Sequence, residues 1–214
     1  MLAPYVLKRV LRFVFVTAAA FIILSRIATA SGANTAPGTY KDWDGDIDHV
    51  TVVQVFKQSD YNRIVVTSVE TDGVDLPDES ESTYRPVKDA LAKTPKIFIE
   101  GLKEKLSGRF VVTIGEVAPR TAGTLLIHAK VMKMNPGSRT GRALGRAKLL
   151  HAMTDAAETR IAGEIADAMT GQVLVRFTQQ RRAGLGLFGG EYEHLLARAI
   201  HDIGNDVGRI VKAF

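Results

Sequence analysis

The 214-residue chain has no cysteine. That absence excludes disulfide frameworks, thiolate metal sites, cysteine nucleophiles and iron–sulfur ligation, and it removes any acceptor for a lipid anchor behind a leader. No Gly-x-Ser-x-Gly elbow is present to raise a hydrolase serine. None of the five histidines shows the His-Glu-x-x-His spacing that sets two zinc ligands on one helical face, and no Gly-Lys-Ser/Thr completes a phosphate-binding loop. No internal repeat is visible. Positive charge is also scarcer than it looks. The formal net charge is +5, but Lys8, Arg9, Arg12 and Arg26 supply four of those charges within residues 1–30, which contain no acid. The remainder carries a net +1 and lacks the basic surface that phosphate neutralisation requires. Nucleic acid is therefore not an expected partner.

Residues 1–30 themselves read as an export leader. A basic start precedes an apolar run from Phe13 to Leu24, broken by Thr17 alone, and Ala28-Thr29-Ala30 supplies small residues for cleavage. A run of about twelve falls short of the roughly 20 residues a spanning helix needs. The alternative is an uncleaved N-terminal anchor, which would make the protein membrane-tethered. Residues 31–48 read as a polar linker. Asp42, Asp44, Asp46 and Asp48 alternate as in a calcium loop, but the EF-hand positions for glycine and glutamate, counted from Asp42, are Ile47 and Val53. The calcium pattern fails.

The rest, 49–214, reads as one α+β domain. The composition of the full chain, 46% hydrophobic and 24% charged, is that of a folded protein. Strands are expected over 49–57, 63–70, 110–117 and 124–134, with a hairpin of 159–168 and 172–181 across Met169-Thr170-Gly171. The acidic stretch 71–83 reads as a surface loop. Val87 and Leu91, then Phe98, Leu102 and Leu106, have helical spacing, with Pro95 expected to break or kink the pair and Gly108 to stop it. Residues 143–160 are ambiguous: Leu144, Ala147, Leu150 and Met153 suit a short helix, yet the segment would also extend the strand that follows. Leu196, Ile200, Ile203, Val207, Ile210 and Phe214 make one stripe of a final helix from about Tyr192. The expected architecture is a mixed or antiparallel sheet of five or six strands with helices on one face.

Two loops are candidates for binding. In the first, Asn135, Gly137, Ser138, Arg139, Arg142 and Arg146 combine turn-forming glycine with guanidinium groups suited to carboxylate or phosphate; its bland reading is a soluble connection. In the second, Leu185, Leu187 and Phe188 lie among glycines and would enter a partner's groove or a membrane, or tuck against their own core. Glu164 and Asp167 are the acids an enzyme would use, but three residues apart on a strand they face opposite sides, and Asp167 fits better as a cap of the hairpin turn. His128 alternates with Leu126 and Lys130 and is expected to face solvent. No catalytic residue, metal or cofactor is expected.

The run Asn135-Pro136-Gly137-Ser138-Arg139 with Arg142, then Gly163, Asp167-Ala168 with Thr170-Gly171, and Gly189-Gly190 before the final helix, resembles the bacterial envelope proteins grouped as domain of unknown function 4410. The resemblance covers about 50–214 and is strongest after Thr124. It implies an exported protein, often a lipoprotein, with no assigned activity and a fold similar to small α/β domains of envelope-assembly lipoproteins. The missing cysteine and an extra segment at 149–158 depart from that pattern.

The expectation is thus a periplasmic, non-enzymatic binding or assembly module whose partner is an envelope protein or anionic ligand, with self-association as a further role of the last helix. A chain isolated from its native envelope should begin at Ser31 by mass spectrometry; recovery of intact Met1 would show the leader retained as an anchor.

Overall fold

Strings of alternating β-branched and polar residues give the sheet. The computed structural model describes residues 35–116, 120–137, 157–183 and 192–214. The strands are β1 (Gly38–Trp43), β2 (Ile47–Val52), β3 (Arg63–Glu70), β4 (Val111–Ile114), β5 (Thr124–Asn135), β6 (Ala157–Asp167) and β7 (Val173–Ala183). They form one seven-stranded sheet in the order β1-β2-β7-β6-β5-β3-β4. β3 runs parallel to β4 and β5, and the other pairings are antiparallel. Two helices, α1 (Tyr84–Leu106) and α2 (Tyr192–Lys212), pack on each other, α2 also on β6 and β7 and α1 on β3 and β4. The α+β class and the final helix are as expected.

Several local expectations need correction. The sheet has seven strands, not five or six, because residues expected as part of a solvated linker form β1. The overlooked signal is Asp44-Gly45, whose left-handed backbone (φ 53° and 78°) closes a tight hairpin, with Trp43 and Ile47 buried beside it. β2 stops at Val52 rather than 57, and the chain then leaves the sheet for a short 3-10 helix at Gln58–Asp60. β4 is shorter than 110–117 because it pairs only with the first half of β3. Pro95 does not break α1, which continues through it. Interior proline costs about 3 kcal/mol, but Val87 and Leu91 before it and Phe98, Leu102 and Leu106 after it are all buried. At about 1.5–3 kcal/mol for each such side chain, their burial outweighs the defect. Of the ambiguous segment, 157–160 belong to β6, and the remainder lies outside the described residues.

The core lies between the helices and one sheet face. β5 contributes Leu125, Ile127, Ala129 and Val131, β6 Ile161 and Ile165, and β7 Val175 and Phe177; the α2 stripe from Leu196 to Ile210 is fully buried. The Phe177 ring lies over Gly163, where a Cβ would stand 2.7 Å from the ring and 2.4 Å from the His128 carbonyl oxygen.

The closest approach is between the helices. A Cβ on Gly101 of α1 would fall 2.0 Å from the carbonyl oxygen of His201, and one on Gly204 of α2 would fall 2.1 Å from that of Phe98. Backbone therefore touches backbone. Gly204→Ala should force the helices apart and lower stability by about 1–2 kcal/mol, because overpacking of up to about 3 kcal/mol outweighs the roughly 1 kcal/mol that alanine adds to helix propensity. Urea denaturation of the full chain checks this; a neutral result would mean the helices are not in backbone contact.

Candidate functional site

A cleft of about 400 Å³ opens where β2 leaves the sheet, between residues 54–61 and the β6–β7 turn. A β-bulge makes it. The register of β6 on β7 shifts so that Leu174 is the extra residue, and the N–H groups of Val53 and Gln54 both donate to its carbonyl, at 2.8 and 3.0 Å. That convergence turns the 53–57 segment away and leaves Gln54, Lys57, Asp60 and Tyr61 facing Asp167, Thr170 and Gln172. Phe56 floors the site, edge-on to Tyr61 at 5.7 Å and stacked on Phe214 at 4.5 Å between centroids.

Asp167 is the organising group. Its Oδ1 accepts the Thr170 N–H at 2.7 Å and the Thr170 hydroxyl at 3.1 Å, and its Oδ2 accepts the Tyr61 hydroxyl at 2.6 Å. The expected turn cap is thus present, with Gly171 at φ 73° completing the turn. Burial alone would raise the Asp167 carboxyl, but the bonds from Tyr61 and Thr170 hold it below its ordinary value. Burial, and then the same carboxylate, push the Tyr61 phenol up. The pair therefore stays carboxylate and phenol at neutral pH. Asp60 and Asp167 outnumber Lys57, so the cleft favours neutral or basic groups over anions. Val53, Val55 and Met169, next to or on its lining segments, are large apolar side chains left exposed.

Two of the four aspartates weighed as a calcium loop, Asp44 and Asp46, are committed to arginines. Arg181 donates to both carboxylate oxygens of Asp46 (2.9 and 2.6 Å) and of Asp206 (2.7 Å each). Arg209 reaches Asp44 at 2.6 Å and Asp46 at 3.2 Å. Asp206 is only 3% exposed and also accepts from Gln179 at 2.7 Å. The network ties the β1–β2 turn, β7 and α2 together. The hydrogen bond from Arg181 holds the Asp46 carboxyl below its ordinary value, against burial.

Of the sequence-stated candidates, Asn135 ends β5, and its Oδ1 accepts the N–H of Gly137 at 2.8 Å, with Gly137 at φ 71°. This is a turn just before Ser138. Ser138, Arg139, Arg142, Arg146, Leu185, Leu187 and Phe188 lie outside the described residues. Glu164 pairs with Arg176 at 3.8 Å and does not meet Asp167. His201 pairs with Glu104 at 3.1 Å. Among the described residues no group of three metal-ligating side chains converges, and no helix is long and apolar enough to cross a membrane. The sequence reading missed the cleft, since the Tyr61–Asp167 contact spans 106 residues.

No protein-family model matches the chain, so the resemblance to domain of unknown function 4410 has no family match behind it. No curated protein matches either. Among solved structures the chain is similar to a PelC dodecamer from Paraburkholderia phytofirmans, at 12% identity and a TM-score of 0.44 over 74% of this chain and 94% of that one. It is similar to protein XCC0632 of Xanthomonas campestris, assigned to domain of unknown function 330 (11%, TM-score 0.41, 72% and 85%). The hypothetical protein CT253 of Chlamydia trachomatis gives 9% and 0.40 over 72% and 99%. At these identities and TM-scores the likeness says nothing of ligand, partner or assembly.

The ion network sets an acid limit. A carboxyl held low in the folded state contributes stability above the unfolded aspartate value, about 3.9, and loses it as pH falls through the folded value. Stability should therefore drop below about pH 4. Arg181→Ala should cost about 3–5 kcal/mol at neutral pH by leaving the buried Asp206 without its main partner, and should flatten the acid dependence. Denaturant melts across pH read both effects.

Proposed function

We propose that this is an exported envelope module that works by binding or assembly and not by turnover, and that the Tyr61–Asp167 cleft is its contact site. The observation that carries the reading is the cleft itself, where two carboxylates, two side-chain amides, an ammonium and two aromatic rings converge beside exposed Val55 and Met169. Polar groups that fix orientation next to apolar surface are the usual makeup of a recognition site. Asp167 is locked by three donated hydrogen bonds, which suits a rigid docking edge better than a proton-transfer group. The excess of carboxylate selects a neutral or basic segment of an envelope partner. The leader-like residues 1–30 support the compartment, and Arg139, Arg142 and Arg146 are a second candidate contact for anionic groups.

A photo-crosslinker at Val55 or Met169, in cells exporting the chain, should yield one discrete adduct that Gln54→Ala with Gln172→Ala weakens several-fold. A crosslinker at Met132, exposed on β5, should not yield it. An adduct of twice the chain mass would identify a second copy as the partner. The same adduct from Met132, or none from Val55 and Met169, would remove the cleft from consideration.

A further inference from the structure

On the sheet face turned away from the helices, a hydroxyl, an imidazole and a carboxylate stand in line. Ser68 Oγ is 2.5 Å from His128 Nδ1, and His128 Nε2 is 3.3 Å from Glu70 Oε1. A second β-bulge assembles them. The register of β3 on β5 shifts between Val66 and Ser68, so that Ser68 and not Thr67 lies opposite His128; bulges commonly re-aim a side chain in this way. With Nε2 turned toward the Glu70 carboxylate, the tautomer protonated at Nε2 is the one that leaves the Nδ1 lone pair for the serine proton. Lys130 Nζ lies 3.9 Å from Glu70 Oε2. Glu164, the cross-strand neighbour of His128 on β6, is taken up by Arg176, which leaves Glu70 to orient the ring.

We propose that Ser68 is an acyl-acceptor site, activated by His128 and positioned by Glu70, that takes one acyl group from an activated ester. Ser68 Oγ attacks the carbonyl carbon while its proton passes to His128 Nδ1. The new carbon–Oγ bond is kept, the bond to the leaving oxygen breaks, and the imidazolium returns the proton to that oxygen. The products are an acylated Ser68 and a free alcohol, with no further reactant. A nucleophile, a base and a group orienting the base are the parts this chemistry needs. The His128 and Glu70 side chains are 45% and 44% exposed, so among the described residues none excludes water there. The relay therefore suits a single modification and not rapid turnover, and it is independent of the cleft.

The test treats the full chain with p-nitrophenyl acetate and maps acetyl groups by mass spectrometry. Ser68 should be acetylated. His128→Ala should slow that step by at least about tenfold, since general-base effects of about 10²–10⁴ in enclosed sites shrink at an exposed one. Glu70→Gln should slow it several-fold, while acetylation of surface Lys88 is unchanged. His128→Gln removes the base but keeps a polar side chain, and gives the same readout should the alanine variant not fold. A Ser68 that carries no acetyl group, or gains it as fast in His128→Gln, overturns the proposal.

Discussion

The contact between α1 and α2 through Gly101 and Gly204 fixes the positions of the elements above the sheet. Two carbonyl oxygens occupy the space where Cβ atoms would stand, so neither helix can slide or rotate without collision or a void. α1 is set by its burial against β3 and β4, and α2 then has one place to lie over β6 and β7. Asp206, two residues beyond Gly204, is thereby held above Arg181 of β7. The charge network follows from the glycine contact: a helix displaced by a side-chain width would leave a buried carboxylate facing apolar wall.

Taking charges out of water is costly, and a buried ion pair stabilises only when its hydrogen bonds are complete. Here they are. Asp206 accepts from Gln179, from Arg181 at both oxygens, and from Arg209 at 3.3 Å. What the network adds is position. β1 has a sheet neighbour on one side only, and Asp44 and Asp46 at its turn give it a second attachment, to α2. A hairpin that would otherwise be held by a single ladder is joined to the core.

Much of this fold was legible in the sequence because periodicity reports burial. The stripe from Leu196 to Ile210 and the strand 63–70 follow from spacing alone. The misses have a common cause, which is local signals overridden by or dependent on distant partners. Pro95 should end a helix, but the apolar residues on both sides of it are buried together against surfaces contributed by other segments. Residues 38–48 look like linker because their aspartates are polar, yet Asp44 and Asp46 meet arginines more than a hundred residues away. Gly204 is an ordinary helix defect until Phe98 is known to lie against it. Asp167 was readable as a turn cap because that job is local; its bond to Tyr61 was not.

The cleft and the Ser68–His128 pair lie where the sheet is irregular, and side-chain alternation explains why. In a regular ladder the period of two sends each residue either into the core or out to solvent, and nothing converges. The extra residue at Leu174 draws the N–H groups of Val53 and Gln54, just past β2, to one carbonyl and diverts residues 53–57 across the end of the β6–β7 hairpin, which creates the cleft. The shift before Ser68 exchanges which residue of β3 faces His128. Removing either bulge would preserve the class of fold while flipping every side chain beyond it to the opposite face. The irregular positions, more than the architecture, are where function in this chain is specified.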